Sequence, residues 1–322
     1  MDLNEIRALM RSDLDALDDT IRRRLSSDVL LVNQVAEYII AGGGKRLRPL
    51  LVITAAGACG YEGAHHVDGA AIIEFIHTAT LLHDDVVDAS ELRRGRDTAN
   101  SVFGNEASVL VGDFLYSRAF QMMNDIGNLR VLSVMADATN MIAEGEVLQL
   151  MNCGDPDTTE IRYLEVIKRK TAMLFEAGTR MAAILADQPE PVETALAEYG
   201  QRLGIAFQLV DDALDYSSNA DELGKNVGDD LAEGKPTLPL IHAISRGSAD
   251  QTALIRKAIE QGGYDYIDQV QDIIHATGAL EYTASVATRE AELAISELGH
   301  IEDSGFKQAL VSLAHHSVDR NS

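Results

Sequence analysis

LLHDDVVD, residues 81–88, closes an apolar run through Ile72, Ile73, Phe75 and Ile76 with three carboxylates. Asp84 and Asp85 are adjacent, and Asp88 lies four positions beyond the first. Like charges this close repel one another, so the stretch is either a solvated helix face or a place where something answers the charge. Read as a helix, it sets Asp84 and Asp88 one turn apart on one face with Asp85 alongside. His77 and Thr80 fall on roughly the same stripe. Carboxylate oxygens at that spacing suit Mg²⁺, which is usually held by one or two carboxylates plus phosphate oxygens and water. A single cluster of this kind is weak evidence in an acidic chain.

A second copy strengthens it. FQLVDDALD, residues 207–215, again ends an apolar helical stretch in paired acids, with a third at i+4 from the first. Gln208, Asp211, Asp212 and Asp215 share a face at offsets of three, four and seven. Neither copy carries the Asp/Asn-Gly-Glu pattern of an EF-hand loop.

Around both copies the chain reads as helix. Apolar stripes recur with helical spacing, period-2 alternation is nearly absent, and six prolines leave few forced breaks. Breakers collect at 152–158, 186–191 and 217–239; the first two read as short connections, the third as a longer functional loop. No linker of biased composition and no fixed-period repeat appears. The fold expected is all-α, one domain over residues 1–322, with the last third as scaffold.

The chain has 322 residues, is 46% hydrophobic and carries a net charge of −24. That length and hydrophobic share are enough to bury a large core. So acidic a protein is a poor partner for nucleic acid, which needs a basic surface. No apolar stretch is long enough to span a membrane, and the charged start MDLNEIRALMRSDLD has no signal-peptide core. Cys59 and Cys153 form neither a disulfide framework nor a metal-site spacing. A cytoplasmic protein is the expectation.

Basic residues gather near the acids. GGGKRLRP (42–49) puts Lys45, Arg46 and Arg48 beside a glycine run; RRGR (93–96) follows the first acidic copy; KRKT (168–171) lies mid-chain; Lys225 and Lys235 fall in the long loop. Gly42–Lys45 is not a P-loop, because Arg follows the lysine and no strand precedes it. Cations concentrated beside paired carboxylates suggest a polyanion held partly by Mg²⁺ and partly by Arg and Lys. No nucleophile motif accompanies them. Departure of a diphosphate needs none, since cations stabilise the leaving charge and an apolar pocket shelters the carbocation.

These motifs, in this order and spacing over nearly the whole chain, resemble the trans-polyprenyl diphosphate synthases. EFIHTATLLHDDVVD, FGNEASVLVGDFLYSRAFQMM and AEGEVLQLM are similar to the bacterial octaprenyl diphosphate synthases within them. The resemblance implies an isoprenoid-synthase-type bundle of antiparallel helices around a deep central cavity, usually a homodimer, with the two aspartate motifs facing across its mouth. It implies Mg²⁺ on Asp84, Asp88 and Asp211, three ions per site with substrate bound, and support from Asp85, Asp212 and Asp215. Arg93, Lys170, Thr171, Gln208, Lys225 and Lys235 would hold the allylic diphosphate. Lys45, Arg48, His77 and Arg94 would bind isopentenyl diphosphate. The reaction implied is ionisation, condensation and elimination, repeated from farnesyl diphosphate to an octaprenyl (C40) diphosphate for a quinone side chain.

One departure is Glu146-x-x-Gln149, where short-chain members often carry Gln-x-x-Asp, so neither residue is given a role. Short-chain members also block the cavity with aromatic residues just before the first motif. Here the turn is Thr78-Ala79-Thr80-Leu81-Leu82, with no ring until Phe75, so Ala79 leaves room for growth and Phe120 or Met123 is the expected floor. The alternatives are a shorter- or longer-chain synthase, a terpene cyclase, or a non-catalytic subunit of the same fold. A cyclase has no need of a second diphosphate pocket, and a degenerate subunit tends to lose one set of motifs.

Overall fold

A computed structural model describes residues 1–42, 46–217 and 227–319. In chain order these form α1 (Leu3–Leu9), α2 (Arg11–Leu25), α3 (Leu30–Ala41), α4 (Leu47–Ala58) and α5 (His65–Val87). A hairpin of β1 (Leu92–Arg93) and β2 (Arg96–Asp97) follows, then α6 (Ala99–Phe103), α7 (Asn105–Ile126), α8 (Leu129–Asn152) and α9 (Glu160–Ile167). After a π-helical turn (Lys168–Ala172) come α10 (Met173–Leu185), α11 (Glu190–Ser217), α12 (Asp229–Ala232), α13 (Leu238–Arg246) and α14 (Ala249–Gln261). The chain ends in α15 (Ile267–Ala276), α16 (Ala279–Glu297), a short 3₁₀ turn (Leu298–His300) and α17 (Gly305–Val318). The all-α expectation holds: among the described residues the two-residue hairpin strands are the only strands.

The described residues fall into two compact units, one of residues 1–137, 174–200 and 297–313, the other of 138–173, 201–296 and 314–319. In the first, α5 is apolar on nearly every side: Val67, Ala70, Ile72, Ile73, Phe75, Ile76, Ala79 and Leu82 are all buried. A helix apolar all round belongs inside, and α2, α4 and α7 pack on it. Each buried Ile or Phe contributes about 1.5–3 kcal/mol. Close approach of α5 and α7 depends on Gly112, where a Cβ would land on the His83 ring. The Tyr199 hydroxyl donates to the Leu310 carbonyl at 2.8 Å, tying α17 into this unit.

The second unit has two apolar clusters. Tyr216, Leu231, Leu240, Ile255, Ile259, Val270 and Ile274 form one. Tyr163, Ile167, Leu209, Val210, Leu214, Leu238 and Ala287 form the other. Leu209, Val210 and Leu214 of α11 interleave in sequence with Gln208, Asp211, Asp212 and Asp215, so one helix supplies both the apolar cluster and the acids.

Candidate active site

The first aspartate motif sits at the wrong end of a helix for its charge. A helix C-terminus carries partial negative charge, and each acid there costs about 0.3–1 kcal/mol. Asp84 and Asp85 occupy the last turn of α5, Asp88 caps it, and that turn holds no basic residue. Asp84 and Asp88 are half-buried. Asp85 is only 3% exposed.

The chain leaves through a Schellman turn, with Ser90 N donating to Asp85 O at 3.0 Å and Ala89 N to Val86 O at 3.3 Å. Ala89 adopts the left-handed region at φ 52°. The hairpin turn is Arg94-Gly95, both with positive φ, 54° and 72°. Two-residue hairpin turns favour such angles, though usually with Asn or Gly at the first position. This turn brings Arg93 back to Asp85, whose Oδ1 accepts from Nε at 2.8 Å and Nη2 at 2.5 Å. Arg46 is also left-handed (φ 47°) and pairs with Asp18. Of the four non-glycine residues with positive φ among those described, Arg46, Ala89 and Arg94 lie in or beside these motifs. Strain of this kind clusters at functional sites.

Arg48 Nη1 donates to His77 Nε2 at 3.0 Å and its guanidinium stacks over Phe175 at 4.6 Å. An arginine has no acceptor, so Nε2 must accept and the neutral ring carries its proton on Nδ1. Burial first, then the charges of Arg48, Arg94 and Arg93, hold the His77 pKa well below its usual 6.5. Glu74 faces Arg46, Arg48 and Arg94, yet burial outweighs their pull and raises its pKa. Arg46, Glu74, His77 and Arg94 form the polar end of a cavity otherwise lined by Ile21, Leu25, Ile39, Leu82 and Leu115.

The second motif ends α11, again with no basic residue in the last turn. Asp211 is exposed, whereas Asp212 and Asp215 are buried. Asp212 accepts from Tyr163 Oη at 2.5 Å and Gln208 Nε2 at 2.7 Å. Burial, then the charge of Asp230, pushes its carboxyl well above the usual range. Asp215 Oδ2 accepts from Asp230 N at 3.2 Å. The π turn presents Lys170, 2.6 Å from Glu146 Oε2, and Thr171, which donates to Gln208 Oε1 at 2.9 Å. Gly145 permits that turn, since a Cβ there would lie 2.7 Å from Lys170 N. π turns of this kind are frequent at functional sites. Lys170, Thr171, Gln208, Asp212, Tyr163 and Lys235 line one cavity of the second unit.

Residues 29–277 match the polyprenyl synthetase family. The chain belongs to the polyprenyl synthetase family. Octaprenyl diphosphate synthases of Haemophilus influenzae and Escherichia coli are 55% and 54% identical to it. Those alignments cover all of this chain and 98% and 100% of the relatives. A polyprenyl synthase from Caulobacter crescentus, solved with calcium and isoprenyl diphosphate, is 42% identical with a TM-score of 0.97, covering 100% of this chain and 98% of that one. A decaprenyl diphosphate synthase from Rhodobacter capsulatus is 44% identical with a TM-score of 0.93, each chain covered to 98%. The protein is a prenyltransferase enzyme.

For a polyprenyl synthetase, the geometry brings Asp84, Asp85, Asp88 and Arg93 together in one unit, along with Arg48, His77 and Arg94. In the other it gathers Lys170, Thr171, Gln208, Asp212 and Lys235. Lys45 and Lys225 lie outside the described residues. Ala79 and Met123 are buried, and half-buried Phe120 lies 5.8 Å from the Tyr116 ring, beside a surface groove with Arg24 and Gln121. Among the described residues no three acids, histidines or cysteines cluster closely enough to hold a metal alone. Half-buried Asp84 and Asp88, one turn apart at the C-terminal end of α5, do fit Mg²⁺ completed by phosphate oxygens and water. Sequence reasoning missed Glu74, Glu146 and Tyr163. Glu74 stands three residues before His77 on the same helix face, which was a usable signal. Glu146 departs from the short-chain pattern and so gains no role from the resemblance, and Tyr163 reads as core.

Proposed function

We propose that this protein elongates farnesyl diphosphate with successive isopentenyl diphosphates to octaprenyl diphosphate, the precursor of a quinone side chain. The observation that carries the reading is the pair of acid-ended helices, each with its own set of bases, in a chain 54–55% identical over its full length to octaprenyl diphosphate synthases. Asp84, Asp88 and Asp211 are the proposed Mg²⁺ ligands, with three ions bound alongside substrate. When bound, Mg²⁺ neutralises the diphosphate and stabilises the charge that grows on it as it leaves. Lys170, Thr171, Gln208, Lys225, Lys235 and Arg93 hold and orient the allylic diphosphate. Lys45, Arg48, His77 and Arg94 hold isopentenyl diphosphate.

The allylic C–O bond breaks with its electron pair going to the diphosphate oxygen. The isopentenyl double bond then supplies the pair that bonds its C4 to the allylic C1, which leaves a cation at its C3, and loss of a C2 proton to the departed diphosphate restores a double bond between C2 and C3. No side-chain nucleophile enters. Asp85 and Asp212 are buried and hydrogen-bonded, which suits them to orienting Arg93 and Gln208. Ala79 keeps the wall below the first motif open, and Met123 or Phe120 stops growth. Val147, Leu150 and Met151 form an exposed apolar stripe on α8 at i, i+3, i+4 spacing, and Val109 and Leu110 are exposed on α7. Such surface supports a homodimer. No helix among the described residues is long and apolar enough to cross a membrane.

The deciding experiment incubates the protein with farnesyl diphosphate, isopentenyl diphosphate and Mg²⁺ and measures product mass. A forty-carbon diphosphate is expected. A cyclised hydrocarbon, or no consumption of isopentenyl diphosphate, overturns the reading.

A further inference from the structure

Tyr163 is only 5% exposed, and its hydroxyl donates to Asp212 Oδ2 at 2.5 Å. The other oxygen of Asp212 accepts from Gln208 Nε2 at 2.7 Å, and Gln208 Oε1 accepts from the Thr171 hydroxyl at 2.9 Å. Three elements thus meet in one chain of hydrogen bonds: α9, α11 and the π turn. A hydroxyl has one proton to give, and a primary amide has two N–H groups and one carbonyl. Thr171 spends its proton on Gln208. Gln208 gives one N–H to Asp212, which leaves the other for a ligand in the cavity that Gln208, Thr171 and Lys170 line. Reversing the amide would turn its carbonyl toward Asp212 Oδ1 and its N–H groups toward the Thr171 hydroxyl, which would have to turn from donor to acceptor. Which way round the amide lies therefore depends on Asp212 standing still, and Tyr163 is what holds it from the core side.

We infer that Tyr163 is a positioning residue for the allylic diphosphate, fixing Gln208 through Asp212 and Thr171 through Gln208. The inference rests on the reading in which Lys170, Thr171 and Gln208 hold that diphosphate. The Tyr163 hydroxyl gives its proton to Asp212, and its ring packs with Ile167, Leu209 and Leu214 in the apolar cluster.

The test is steady-state kinetics of Tyr163→Phe with Mg²⁺, varying farnesyl diphosphate and isopentenyl diphosphate in turn. The KM for farnesyl diphosphate should rise about tenfold, the scale of one lost hydrogen bond. The KM for isopentenyl diphosphate should stay within about twofold, the ordinary scatter for an uncoupled site. In a Gln208→Ala background the same change should add less than about twofold, because the chain is already cut. An equal rise in both KM values, no change in either, or full multiplication of the two substitutions overturns the inference. If Tyr163→Phe does not fold, Tyr163→His, too short to hold Asp212 in the same place, is read by the same criteria. Wild-type protein that consumes no isopentenyl diphosphate would sink the proposed function itself, an outcome separate from any of these.

Discussion

A proton on His77 would break the contact that Arg48 makes with it. Arg48 donates to Nε2 at 3.0 Å, and a protonated ring has only donors to offer in return. Burial and three nearby guanidinium groups accordingly depress the folded-state pKa below 6.5, while the unfolded chain keeps the ordinary value. Between those two values the unfolded state binds a proton that the folded state refuses, so stability falls as pH drops below about 6.5. His77→Gln keeps an acceptor for Arg48 and cannot titrate. Melting curves between about pH 7.5 and about pH 5.5 should show a steeper loss in the wild type than in the variant. The difference is bounded near 1.4 kcal/mol per pH unit, roughly the limit for one proton. Parallel curves would remove His77 from this account. The family resemblance puts Arg48 and His77 in one diphosphate-binding set; their direct contact depends on two helices meeting, which no local pattern encodes. Glu74 was within reach through its i, i+3 spacing to His77, whereas Tyr163 looks like any buried ring until its hydroxyl is located.

Helix ends are where local rules fail in this protein, and they fail at the site. Both acid-ended helices place carboxylates against the macrodipole without a compensating base in the last turn. Local preferences are expected to be broken at functional positions. Ala89 is the sharpest case, because the Schellman turn that follows Asp88 needs a left-handed residue and glycine is its usual occupant. A β-branched side chain tolerates that conformation worst. Ala89→Val should therefore lower stability by about 1–2 kcal/mol, while Ala89→Gly should leave it unchanged or raise it slightly. Denaturant midpoints measure both, and a Val variant as stable as wild type would rule out strain at this turn. The helices themselves were legible, since their 3.6-residue stripes run unbroken into DDVVD and DDALD. The π turn was not. Lys168–Ala172 has no unusual propensity, and what allows the turn is a glycine on another helix, Gly145.

Across the whole molecule, 51 acids against 27 lysines and arginines make unspecific attraction of Mg²⁺ unavoidable. Specific binding must be separated from that background. Sequence also could not show that the core divides between two units, because each draws on segments far apart along the chain. The C-terminal third, read only as scaffold, contributes residues 297–313 to one unit and the rest to the other. The proposed site predicts cooperation between metal and anion: Mg²⁺ completes its shell with phosphate oxygens, so neither partner alone should stabilise the fold as the two do together. At about 100 times the apparent Kd, a ligand of the folded state adds about 2.7 kcal/mol, a rise in Tm of a few degrees. Thermal melts with Mg²⁺, with inorganic diphosphate, and with both should show most of the rise only in the third sample. The double variant Asp84→Asn with Asp88→Asn should lose that rise while keeping whatever shift Mg²⁺ alone produces. A full shift from Mg²⁺ alone would mean that the acidic surface, rather than the two aspartates, takes the metal. An undiminished shift in the double variant would place the metal and diphosphate elsewhere on the chain.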